Sequence, residues 1–198
     1  MGGVVDTYRT VLFLHLVALA IGFGAGSVLL VCLLQLRAAQ TLADAVPWGA
    51  VAGKTEKAFP VAIVGLFASG AYMTSHVWTW STGWIDVSIA GLVLISLQGP
   101  LVGGRHAKLL ERALHENGPG PLGAAARAMT RHPGLWLPEL ANLGVVFGIV
   151  WNMTQKPGTG EAIAAVVVGY ALGAALSLWF ARVPGAEAPV PAESSAAS

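Results

Sequence analysis

The chain has 198 residues, of which 55% are hydrophobic and 11% charged, and its mean hydropathy is +0.67. Soluble domains carry about 25% charged residues, so this sequence is too poor in charge to cover a core unless lipid is its solvent. A net charge of +1 gives no electrostatic case for nucleic-acid binding, and a single cysteine, Cys32, excludes an intrachain disulfide.

Crossing about 30 Å of hydrocarbon takes roughly 20 helical residues. Taken in chain order, five segments meet that length, at about 9–36, 58–78, 85–103, 135–153 and 161–181. The first is too long for a signal-peptide core of about 7–15 residues. A turn around Val46–Trp48 is expected at the membrane interface before the second. The second and third are joined by the short aromatic hairpin Thr79–Trp84. Pro100 is expected to kink the third, which then runs on as a helix over Arg105–Glu116, with Ala107, Leu110 and Leu114 on one stripe. Asn117-Gly118-Pro119-Gly120 ends that helix. Pro138 and Glu139 read as the first turn of the fourth segment, where a carboxylate meets the positive helix end.

The fold expected is therefore all-α: a polytopic membrane helix bundle of five transmembrane helices forming one domain over 1–182, with a disordered cytoplasmic tail over 183–198. Of the eleven lysines and arginines, nine fall on one side of such a bundle and only Arg9 and Lys156 on the other. The positive-inside rule then places the N-terminus outside and the C-terminus inside. Trp78, Trp80, Trp84 and Trp151 would lie at the outer headgroup level, and Trp48, Trp136 and Trp179 at the inner one.

Small residues recur four apart at Gly22/Gly26, Gly99/Gly103, Gly144/Gly148 and Gly169/Gly173. In lipid, such spacing lets helix backbones approach closely, and packing within the chain is the expected use. P-loop, dinucleotide, zinc-protease and nucleophile-elbow motifs are absent, which removes the common enzymatic readings.

Ionisable and strongly polar residues inside the membrane are functional candidates. His15 in the first segment and His76 near the end of the second fall at similar expected depth. Two facing imidazoles at one level would suit haem b or copper, with Asp86 as an acceptor orienting one ring. Gln98, Glu139 and Asn142, with Gln35 at comparable depth, would line a polar path for protons or a small solute. His106, His115 and His132 belong to the basic inner connection and read as solvated.

Val11-Leu12-Phe13-Leu14-His15-Leu16 leads into Gly22-Phe23-Gly24-Ala25-Gly26, Gly83-Trp84-Ile85 opens the third segment, and Trp151-Asn152-Met153-Thr154-Gln155-Lys156-Pro157 closes the fourth. These stretches resemble a bacterial family of integral membrane proteins, domain of unknown function 2269, across about Val11 to Leu178. The resemblance implies a small protein of the bacterial cytoplasmic (inner) membrane and no particular activity. His15 is also similar in position to the first-helix histidine of copper-resistance D and membrane protoporphyrinogen oxidase proteins, but no further motif carries a ligand role over.

Three functional classes follow from the sequence. The first is a non-catalytic accessory or structural membrane protein, held by the lipid bilayer and packed as a homo-oligomer or in a larger membrane complex. The second is a haem- or copper-handling redox protein using His15 and His76. The third is a small permease working through Gln98, Glu139 and Asn142.

Overall fold

In hydrocarbon a backbone must satisfy its own polar groups, so a chain with these apolar runs has helices as its simplest solution. A computed structural model describes residues 2–182, with side chains from Thr7 onward; the tail expected to be disordered, 183–198, lies outside the described residues. Eight α-helices follow in order: α1 (Gly2–Ala38), α2 (Leu42–Thr55), α3 (Ala58–Val77), α4 (Gly83–Gln98), α5 (Gly104–Asn117), α6 (Ala124–Thr130), α7 (Pro133–Gln155) and α8 (Thr159–Arg182). A single π-helical turn, Gly99–Gly103, joins α4 to α5. No strand occurs among the described residues.

Five helical stretches are long and apolar enough to cross a membrane: Thr7–Ala38, Leu42–Val77, Gly83–Asn117, Ala124–Gln155 and Thr159–Arg182. They correspond one to one with the five expected segments. Their large apolar side chains point outward, with Phe13 63%, Leu101 67% and Leu172 67% exposed. A water-soluble bundle would turn such residues inward, so the pattern is that of a protein dissolved in lipid.

The spans pair through small residues. A Cβ added to Gly65 of α3 would come within 2.9 Å of the Ala18 Cβ on α1, and one on Gly22 within 3.3 Å of the Ala62 Cβ. The α7–α8 contact is closer still. Gly144 and Gly169 meet backbone to backbone, Gly173 rests on the Leu140–Ala141 backbone, and a Cβ on Gly148 would lie 2.8 Å from the Ala165 carbonyl. Two of the spaced glycine pairs, Gly144/Gly148 and Gly169/Gly173, thus serve packing inside the chain. On α4, Gly91 accommodates Val145 and Ile149 of α7.

At one end of the bundle the connections are folded into a cap. Leu33, Leu36, Ala39, Ala45, Leu110, Leu114, Leu122, Ala126, Leu135, Trp136 and Leu140 form one buried apolar cluster drawn from α1, α2, α5, α6 and α7. The expected interfacial turn at Val46–Trp48 is instead part of the 14-residue helix α2. Thr41 opens α2 with a reciprocal cap: its hydroxyl accepts from the Asp44 N–H, and its own N–H donates to the Asp44 carboxylate at 3.0 Å. Leu42 N–H to the Gly120 carbonyl (3.0 Å) and Leu122 N–H to the Gln40 carbonyl (2.8 Å) then fasten the two connections together.

One further expectation is corrected at this end. Trp136 is fully buried within the protein, donates Nε1–H to the Thr130 carbonyl at 3.0 Å, and stacks on Phe180 at 5.2 Å. Helix α7 also begins earlier than expected, at Pro133, where His132 Nδ1 accepts from the Gly134 N–H at 3.0 Å. Pro138 therefore lies inside α7, and Glu139 falls beyond the first turn, out of reach of the helix-end dipole.

The π turn has a clear cause. Proline has no N–H to donate, and with Pro100 in place the chain widens by one residue until Gly104 N–H reaches the Gly99 carbonyl. Helix α5 continues from that turn as expected and ends where Gly118 takes φ 67°, a left-handed value that suits glycine.

Candidate functional site

Helices α1 and α3 pack directly, so His15 and His76 lie on adjacent elements. They do not share a level. His15 faces Ser69 and Gly70: its Nδ1 is 2.8 Å from the Ser69 Oγ, and a Cβ on Gly70 would meet the ring at 3.7 Å. His76 lies seven residues beyond Ser69 on α3, about 10 Å farther along the helix at 1.5 Å per residue. It is exposed, stacks on Tyr72 at 4.0 Å, and points Nδ1 at the Tyr72 carbonyl. His15 stands eight residues into the Thr7–Ala38 stretch, whereas His76 is one residue from the end of α3.

Asp86 is exposed in the first turn of α4, and neither histidine hydrogen-bonds to it. The three residues proposed for haem b or copper are thus not assembled into one ligand set. Among the described residues, no group of three His, Cys, Asp or Glu side chains is placed to hold a metal. His15 itself is a built feature. It is 5% exposed, its Nδ1 is engaged by Ser69, and its Nε2 is buried with no hydrogen-bond partner.

The second set is brought together more closely. On α7, Pro138, Asn142, Val145 and Ile149 follow one another at spacings of four, three and four, which is one face of a helix. Val145 and Ile149 meet Gly91 of α4, and Pro138 meets Gly103 in the π turn, where a Cβ would sit 3.5 Å away. The antiparallel register of α4 and α7 puts Gln98, two turns past Gly91, at the level of Asn142. Gln98 is 8% exposed, and its Oε1 and the Asn142 Oδ1 are both buried without hydrogen-bond partners.

Glu139 is one turn from Asn142 and turned toward α1, where its Oε1 lies 3.4 Å from the position a Cβ on Gly26 would take. Gly26 is twelve residues from the end of α1, so the carboxyl group sits about 18 Å in from that end. It makes no hydrogen bond to another described residue. Leaving a buried polar atom unpaired sacrifices about 1–3 kcal/mol, so the two amide oxygens mark a costly spot. Gln35 lies away from this junction, lining an open cleft of about 470 Å³ between the end of α1 and α2 with Asp44, Pro47 and Trp48.

Sequence reasoning missed several residues of the cap. Arg37 stacks on Trp136 and Phe180, with its guanidinium 5.7 and 5.8 Å from the ring centres, and donates to the Phe180 carbonyl. His106 and His132 stack at 4.7 Å, and His106 Nδ1 meets the Val102 carbonyl at 2.8 Å, so neither ring is merely solvated. The spacing of these residues carries no signal. They meet only because α5, α6 and the start of α7 fold back on the end of α1.

No family model matches the chain, and no curated protein or solved structure does either.

Proposed function

We propose that this chain is a non-catalytic accessory protein of a bacterial cytoplasmic membrane, which holds a preformed docking platform against the cytosolic face. The carrying observation is the cap. Connections that need only link spans are built into three helices with a core of their own, a reciprocal helix cap and a backbone clamp. Ordering such segments costs conformational entropy, which plain linkers would avoid.

The platform's helices expose Lys54, Lys57, Arg105, Lys108, Arg112 and Arg127, interspersed with exposed Asp44, Glu56, Glu111 and Glu116. That distribution supports the N-terminus outside and the cap inside, by the positive-inside rule. Its mixed charges suit a partner surface of matching pattern on a second copy or on a larger membrane complex. The resemblance in the first helix and in the Trp151–Pro157 ending supports a bacterial inner-membrane protein.

Purification from native membranes in mild detergent, followed by native mass spectrometry, tests the reading. A stoichiometric partner or homo-oligomer is expected, and charge reversal at Arg105, Lys108 and Arg112 should release it. A strictly monomeric species in native membranes would overturn the proposal.

A further inference from the structure

Two imidazoles hold the start of α7 to α5. His132 Nδ1 accepts from the Gly134 N–H at 3.0 Å and caps the first turn of the helix. The His106 ring stacks on His132 at 4.7 Å and lies directly against Gly134, where a Cβ would come within 2.4 Å of it. His106 Nδ1 in turn meets the Val102 carbonyl at 2.8 Å. One glycine is thus gripped twice, by His106 where a side chain would stand and by His132 through its amide.

The two rings use Nδ1 in opposite senses. A carbonyl only accepts, so His106 Nδ1 carries a proton, and a second proton goes to Nε2 without disturbing that bond. His132 Nδ1 accepts, so it holds a lone pair, and the proton of the neutral ring is on Nε2. Protonation fills that lone pair and sets an N–H against the Gly134 N–H. It also adds positive charge among cations: Arg131 adjoins His132 after α6, Arg105 adjoins His106 on α5, and Arg37 of α1 lies over the Trp136 ring. The π turn carries no charge, α8 brings up Phe180, and Glu139, the carboxyl group of α7, lies against Gly26 of α1. Among the described residues no carboxylate hydrogen-bonds to either ring. His132 is exposed, so water can deliver the proton.

We propose that the His106–His132 stack is a proton-operated latch: neutral rings hold the first turn of α7 closed against α5, and protonation of His132 opens it. Imidazole changes charge between about pH 5 and 8. The latch is closed above that interval and opens as pH falls through it, loosening the cap where α6 leads into α7. Its consequence for partner docking rests on the accessory reading, whereas the latch itself is a property of the isolated chain.

The test uses the full chain in lipid nanodiscs, with amide hydrogen exchange followed by mass spectrometry at about pH 7.5 and 5.5 and corrected for the intrinsic rate at each. Protection over Arg131–Leu137 should fall about fivefold at the lower pH, the equivalent of one lost helix cap. His132→Asn keeps an accepting side chain that does not titrate, so its protection should not change. No fall in the wild type, or an equal fall in both proteins, would overturn the proposal. Should the variant fail to fold, nitrogen NMR of histidine-labelled wild type decides: protection that stays constant while the His132 ring gains its proton would overturn the latch.

Discussion

The imidazole of His15 meets the hydroxyl of Ser69 at 2.8 Å across the α1–α3 interface. The Ser69 hydroxyl is also 2.5 Å from the Gly65 carbonyl one turn back, so it donates there and receives from the histidine Nδ1–H. This chain of bonds fixes the ring and leaves Nε2 as the nitrogen without a partner.

Removing the serine oxygen breaks the chain at its centre. Ser69→Ala should destabilise the protein by about 1 kcal/mol, since membrane hydrogen bonds are modest individually but a buried imidazole is left unpaired. Unfolding by denaturing detergent, monitored by tryptophan fluorescence, measures the loss. A neutral outcome would mean that the bond does not hold α1 to α3.

The glycine contacts make a sharper contrast. A methyl group on Gly144 would run into the Gly169 carbonyl, while one on Gly24 would meet nothing within 4 Å. Gly144→Ala should therefore cost about 1–3 kcal/mol. Gly24→Ala should be neutral or stabilising, because alanine is the better helix former by about 1 kcal/mol. Equal effects at the two positions would contradict the close α7–α8 packing.

Trp136 joins the cap to the bundle by its indole hydrogen bond, its stacking on Phe180 and the Arg37 guanidinium above it. Trp136→Ala should cost about 3–5 kcal/mol, concentrated at the cap. Limited proteolysis is the measurement: cleavage near Gly118–Leu122 should accelerate while the spans stay protected. Uniform protection would show that the cap holds without the tryptophan.

The five spans were legible because each is a local property, a run of apolar residues long enough for the bilayer, although three of the helical stretches run well past the expected limits, through α2, α5 and α6. The cap was not legible, because no one of its helices displays a core. Leu36, Ala45, Leu110, Ala126 and Trp136 come from five separate helices and become neighbours only in the fold. Pro47, inside α2, further disguised that helix as a turn. Gln98, Glu139 and Asn142 were recognisable as polar residues in apolar surroundings. That Gln98 and Asn142 share a level depends on how Gly91 and Gly103 seat α4 and the π turn on α7, a register that spacing along one helix does not reveal.

The proposed function places the folded cap on the cytosolic side of a lipid-embedded bundle. Arg112 is exposed on α5, and the native Cys32 is fully buried, so a single Arg112→Cys substitution gives one reactive thiol on the cap. Labelling with a membrane-impermeant maleimide should fail on intact cells and succeed on inverted membrane vesicles. Modification from outside intact cells would contradict the account.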